Sequence, residues 1–148
     1  GVDVEQIRPG IDVGAIATQF FSAHERAELR ALPTGDQLAA FFRCWCRKEA
    51  FTKAIGLGLS YPLADFDVSL ARHASPILLQ TRPDDKEAGR WHIRDIDLDA
   101  QHMAALALEG TNVTLATWQI LGKACTQQFV QLLQPTRRAT FGSRSRPP

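Results

Sequence analysis

The sequence predicts an α+β domain in which an antiparallel sheet packs on one long helix. Three observations predict it. The chain opens on an alternating strand, Gly1-Val2-Asp3-Val4-Glu5. A helix-compatible stretch carrying Leu38, Phe41, Phe42, Trp45, Phe51 and Ile55 then runs unbroken over residues 36–55. Five short segments of strand-like composition or alternation follow, at residues 66–70, 77–81, 91–96, 103–108 and 113–120, separated by turn residues.

Each element follows from local chemistry. Residues 1–7 read as a strand that Pro9-Gly10 ends in a turn. Val2 and Val4 flank the acids, so the strand is expected in the interior. Residues 11–21 read as a short helix. Ser22 is an N-cap for a helix over 23–32, with Glu25 placed to complete a capping box. Pro33-Thr34-Gly35 separates it from the long helix, which Gly56 and Gly58 end. A left-handed cap and a sharp turn explain these glycines better than a phosphate-cradling loop. Ser60-Tyr61-Pro62 is a loop, and residues 83–89 form a charged turn.

The domain is expected over residues 1–120. Residues 121–134 read as a helical extension, with Phe129, Val130, Leu132 and Leu133 apolar. Residues 135–148 read as a basic disordered tail. After Glu109 the chain has no acid, while Lys123, Arg137, Arg138, Arg144 and Arg146 are basic. A solvated tail is the stronger reading of that run; attraction of an acidic partner is the other.

With 148 residues, 45% hydrophobic and 22% charged, the composition is that of an ordinary globular domain able to bury a core. A net charge of +1 gives no push toward nucleic acid or a membrane surface. No apolar run reaches the roughly 18 residues of a bilayer span, and no signal peptide is visible. Cys44 and Cys46 diverge on a helix and read as buried, reduced thiols of a cytoplasmic protein. His24, His73, His92 and His102 show no metal-ligand spacing.

The chemistry-bearing residues lie in two short strings. On a strand, Asp3 and Glu5 project together, roughly 6.6 Å apart along the chain. On the long helix, Trp45, Glu49 and Lys53 form a row four residues apart, with Phe42 beside it. A helix packed on that strand brings Glu49 to Asp3 and Glu5. Three carboxylates repel one another in a partly dry pocket, and a divalent cation resolves the repulsion. An all-oxygen set suits Mg²⁺, with Mn²⁺ as the alternative, and Lys53 is placed to neutralise a phosphate. Each string alone is more often solvated surface; it is their combination that points to a site.

The strings G-V-D-V-E at residues 1–5 and W-C-R-K-E-A-F-T-K-A-I-G-L-G-L at residues 45–59 resemble the two signature motifs of the 4′-phosphopantetheinyl transferase superfamily. The segment F-F-S-A-H-E-R-A-E-L at residues 20–29 resembles the family's spacer, and the match spans about residues 1–70. Trp45 before Lys48 favours the Sfp type over the compact trimeric holo-acyl-carrier-protein synthases. The resemblance implies a ferredoxin-like variant half-domain. It also implies transfer of the phosphopantetheine arm of coenzyme A to a serine of an apo acyl or peptidyl carrier protein, releasing adenosine 3′,5′-bisphosphate. It assigns Asp3, Glu5 and Glu49 as metal ligands. Glu49 is also the candidate to deprotonate the serine, directly or through a water. Lys53 matches the phosphate-contacting lysine, and Lys48 a residue near the coenzyme.

Sfp-type enzymes consist of two similar halves with the active site between them, and the first motif here occupies residues 1–5. The chain is therefore expected to be the C-terminal half of such an enzyme. The half that grips the adenine and 3′-phosphate is absent, unless a second copy of the chain supplies the missing side. Two readings stay open: a transferase acting on coenzyme A and a carrier, and a non-catalytic half-domain that needs a separate N-terminal half.

Overall fold

A computed structural model describes residues 1–72, 77–110, 114–117 and 130–133. It divides into two units, residues 1–111 and 112–148. In the first unit, strand β1 (Val2–Gln6) leads into helices α1 (Val13–Phe20), α2 (Ala23–Ala31) and α3 (Thr34–Ala54). Strands β2 (Phe66–Val68), β3 (Leu78–Thr81), β4 (Trp91–Asp95) and β5 (His102–Glu109) follow. One antiparallel sheet has the order β1-β5-β4, and β2 and β3 pair as a separate antiparallel ribbon. The α+β class with antiparallel sheets is as expected.

The local signals act as their chemistry requires. Asp12 caps α1 through Ala15 N. Ser22 and Glu25 form a complete capping box on α2. Helix α3 starts two residues earlier than the sequence suggests, because Pro33 takes the N-cap and so breaks no helical hydrogen bond. At its other end Ile55 is the C-cap, and Gly56, with φ +77°, turns the chain left-handed.

Helix α3 packs across β1 and β5, and its flanks are covered by two aromatic groups. Phe20, Phe21, Phe41 and Trp45 cluster where α1 meets α3, with Phe21 and Phe41 stacked at 5.2 Å. Phe51, Tyr61, Phe66 and Trp91 cluster toward the β2 side. The Arg47 guanidinium fixes α3 to β4 by donating to both oxygens of Asp95, at 2.8 and 2.6 Å.

Two expectations are corrected. First, among the described residues β1 lies at the edge of its sheet, and its valines point away from the core: Val2 is 51% and Val4 53% exposed, whereas Asp3 is 6% exposed. The acids occupy the face that α3 covers. Alternation shows that a strand has two faces but not which one meets the helix. Second, Val130–Leu133, read as the end of a helix, is strand β7. It pairs antiparallel with β6 (Thr114–Thr117) in the second unit. A short apolar run suits either state, and pairing with a distant segment decides it. The rest of the expected 121–134 extension and the 135–148 tail lie outside the described residues.

Candidate active site

Register places the strand side of the site. Asp3 faces Ala105 and Glu5 faces Met103 across the β1–β5 ladder, so both carboxylates project toward α3. From α3, Glu49 and Lys53 project back toward them. The Lys53 ammonium donates to Asp3 Oδ1 at 2.6 Å, while its side chain stays 47% exposed. Asp3 Oδ2 is buried and has no hydrogen-bond partner. Glu5 is half-buried, with Arg8 at 3.9 Å.

The electrostatics show that these groups share one environment. Burial raises the Glu49 carboxyl above its ordinary range, Asp3 and Glu5 push it further up, and Lys53 partly offsets them. Lys53 is raised chiefly by its hydrogen bond to Asp3, helped by the charges of Asp3, Glu49 and Glu5. Beneath them Cys46, buried and donating to Met103 O at 3.2 Å, is held as a neutral thiol by burial first and then by Asp3.

Four of the expected site residues, Asp3, Glu5, Glu49 and Lys53, therefore meet on one side of α3. Lys48 does not. It is fully buried on another side of the helix, where its ammonium donates to Leu63 O at 2.6 Å and Phe66 O at 2.7 Å. It also pairs with Glu25 at 2.8 Å and lies 4.0 Å from the centroid of the Phe66 ring. With its three donors engaged by Leu63, Phe66 and Glu25, Lys48 stands apart from the other four expected site residues. Sequence reading missed the partner: Glu25, seen only as a capping residue, also accepts from Val68 N at 2.8 Å.

Among the described residues no three His, Cys, Asp or Glu side chains converge to ligating distance as they stand. The residues nonetheless fit a hard cation. Asp3 carries a desolvated oxygen with no donor, Glu49 is raised by two neighbouring carboxylates, and the donor set is all oxygen. An unpaired buried carboxylate oxygen costs about 1–3 kcal/mol or more, which a cation or donor removes. Of the two such atoms among the described residues, the other is Asp67 Oδ1, whose carboxylate is held by Arg82. A cavity of about 880 Å³ beside β4 is lined by Arg43, Arg72, Asp95 and His102 but by none of the four site residues.

Comparisons with known proteins identify the family. The profile of the 4′-phosphopantetheinyl transferase superfamily matches residues 1–107. The chain is 42% identical over 91 residues to the 4′-phosphopantetheinyl transferase psf-1 of Bacillus pumilus, covering 55% of this chain and 38% of that protein. It is 34% identical over 110 residues to HetI of Nostoc, covering 74% and 43%. It is 41% identical over 70 residues to Sfp of Bacillus subtilis, covering 47% and 30%. The chain thus spans less than half the length of these relatives. With the superfamily profile running through β1, α3 and β5, the chain belongs to the 4′-phosphopantetheinyl transferase superfamily.

Proposed function

We propose that this chain is the metal-binding, carrier-modifying half of a transferase that moves the 4′-phosphopantetheine group from coenzyme A to a serine of an apo acyl or peptidyl carrier protein. The observation that carries the proposal is the convergence of Asp3, Glu5, Glu49 and Lys53, with Asp3 Oδ2 buried and unpartnered. We read residues 1–120 as the family's ferredoxin-like half-domain, and place the reaction in the cytoplasm.

In this mechanism Asp3, Glu5 and Glu49 would hold Mg²⁺, or Mn²⁺, which would supply positive charge to offset that of the pyrophosphate. Lys53 leaves Asp3 and pairs with a phosphate, as its exposed, flexible stem allows. Glu49 as a carboxylate, its proton affinity raised by burial and by Asp3 and Glu5, accepts the proton of the serine hydroxyl. The serine oxygen forms a bond to the pantetheine-bearing phosphorus. The bond from that phosphorus to the bridging oxygen breaks, and adenosine 3′,5′-bisphosphate leaves. The protein positions groups and offsets charge, which is what phosphoryl transfer chiefly needs.

The full-length protein, incubated with coenzyme A, Mg²⁺ and an apo carrier, should add the phosphopantetheine mass to the carrier serine. Asp3→Ala and Glu49→Gln should remove that addition, and normal transfer by both would sink the assignment. A second reading follows from the chain's span, less than half that of its relatives. Residues 1–148 alone would then be inactive until an N-terminal half, or a second copy of the chain, completes the coenzyme site. Mass addition by residues 1–148 as a monomer would exclude that reading.

A further inference from the structure

Gly1 continues the β1–β5 ladder by one pair. It accepts from Ala107 N at 2.8 Å and donates to Ala107 O at 2.8 Å. In a strand it shares a face with Asp3 and Glu5, and that face meets α3. A Cβ at this position would lie 2.2 Å from Ala50 O, 2.4 Å from Ala54 N and 2.9 Å from Ala54 Cα. All three are backbone atoms of α3, in the part of the helix that carries Glu49 and Lys53. Truncating a neighbouring side chain therefore cannot make room. A methyl group is accommodated only by moving β1 away from α3 by roughly 1 Å or more, or by breaking the pairing with Ala107.

Asp3 lies two residues further along the same strand. Releasing Gly1 alone from Ala107 would leave Asp3 paired with Ala105, whereas moving β1 carries the Asp3 carboxylate away from the Lys53 ammonium, now 2.6 Å distant, and away from Glu49. Hard-cation ligands tolerate far less, because Mg²⁺ demands near-ideal oxygen distances. We infer that Gly1 is a positioning residue: its missing side chain sets the β1–α3 separation at which Asp3 and Glu5 meet Glu49 and Lys53. The consequence for cation binding rests on the function proposed above. The geometric claim stands on the Gly1–α3 contact alone.

The test uses the full-length protein and two readouts. Mn²⁺ affinity, followed by electron paramagnetic resonance, should fall about 10–100-fold in Gly1→Ala, the range for losing support behind a metal ligand. It should be unchanged in Val4→Ala, which alters the exposed face of the same strand. The second readout needs no metal. A double-mutant cycle between Asp3→Asn and Lys53→Met, measured by urea unfolding in chelator, should show coupling with Gly1 and none with Ala at that position. If Gly1→Ala folds too poorly to measure, Ala54→Val adds bulk beside the same contact and should give the same loss. A folded variant that keeps both the Mn²⁺ affinity and the coupling overturns the inference. If the unsubstituted protein binds no Mn²⁺, the cation reading fails by itself. The cycle then decides: lost coupling supports positioning by Gly1, and retained coupling overturns it.

Discussion

Lys48 and Lys53 leave the same helix and each meets a carboxylate from another element, yet the two pairs are built differently. The Lys48–Glu25 pair is closed. Both side chains are fully buried, Lys48 is shared between Glu25 and two carbonyls, and Glu25 also accepts from Ser22 N and Val68 N. The Lys53–Asp3 pair is open: Lys53 is half exposed, and Asp3 keeps one buried oxygen without a donor. A saturated buried pair has no capacity left for a ligand and holds elements together. A pair with an unmet acceptor beside two further carboxylates has capacity to spare. The difference separates a joint in the fold from a site on it.

The most direct way to break that distinction is to remove the open cluster's acids. Glu49→Gln should lower the proposed transfer by the full-length protein about 10²–10⁴-fold, the usual range for a general base, and Asp3→Ala should lower it by removing a cation ligand, both leaving the midpoint of unfolding nearly unchanged. Mass spectrometry of the carrier and thermal melts measure the two quantities side by side. A large drop in stability with modest loss of transfer would mean that the open cluster is structural after all.

The closed pair should respond the opposite way. Lys48→Met or Glu25→Gln alone strands a buried charge or its partners and should destabilise the protein by about 3–5 kcal/mol in urea unfolding. Replacing both with apolar residues of similar volume should recover part of the loss, because no uncompensated charge remains. Recovery of transfer together with stability would confirm that Lys48 acts through the fold. Lost transfer at full stability would return Lys48 to the coenzyme site.

Much of this was legible in the sequence, and the exceptions share a cause. Local signals were read correctly: the capping box at Ser22 and Glu25, the Gly56 cap, and the helical row of Glu49 and Lys53. Features that depend on which elements meet were not. Nothing in V-D-V-E says which face of the strand meets a helix. Nothing in R-K-E says that Lys48 turns inward to Glu25 and Phe66 while its neighbour Glu49 faces the strand. The close approach of Gly1 to Ala50 and Ala54 likewise exists only once β1 and α3 are packed.

Lys53→Met tests the open pair more gently. A half-exposed ion pair contributes about 0–1 kcal/mol, so stability should move little. Affinity for coenzyme A should fall more, because the phosphate loses its lysine while the carboxylates remain. Isothermal titration with coenzyme A in Mg²⁺ reads this directly, and unchanged affinity would remove Lys53 from the phosphate site.

The smallest expected effect is the most specific to the cluster. In metal-free protein the Glu49 carboxyl is raised above its ordinary 4.5 by burial and by Asp3 and Glu5. Between that ordinary value and the raised one, the folded state binds more protons than the unfolded state. Stability contributed by the protonated group is thus fully present below pH 4.5 and is lost as pH climbs through the raised value. Other carboxylates titrate nearby, so the informative quantity is the difference between the parent protein and Glu49→Gln, which should lack this loss. Lys53 lowers Glu49, so removing its charge in Lys53→Met should extend the loss to higher pH. If the difference curve were flat and indifferent to Lys53, Glu49 would not share an environment with the strand carboxylates, and the open cluster would reduce to a single exposed ion pair.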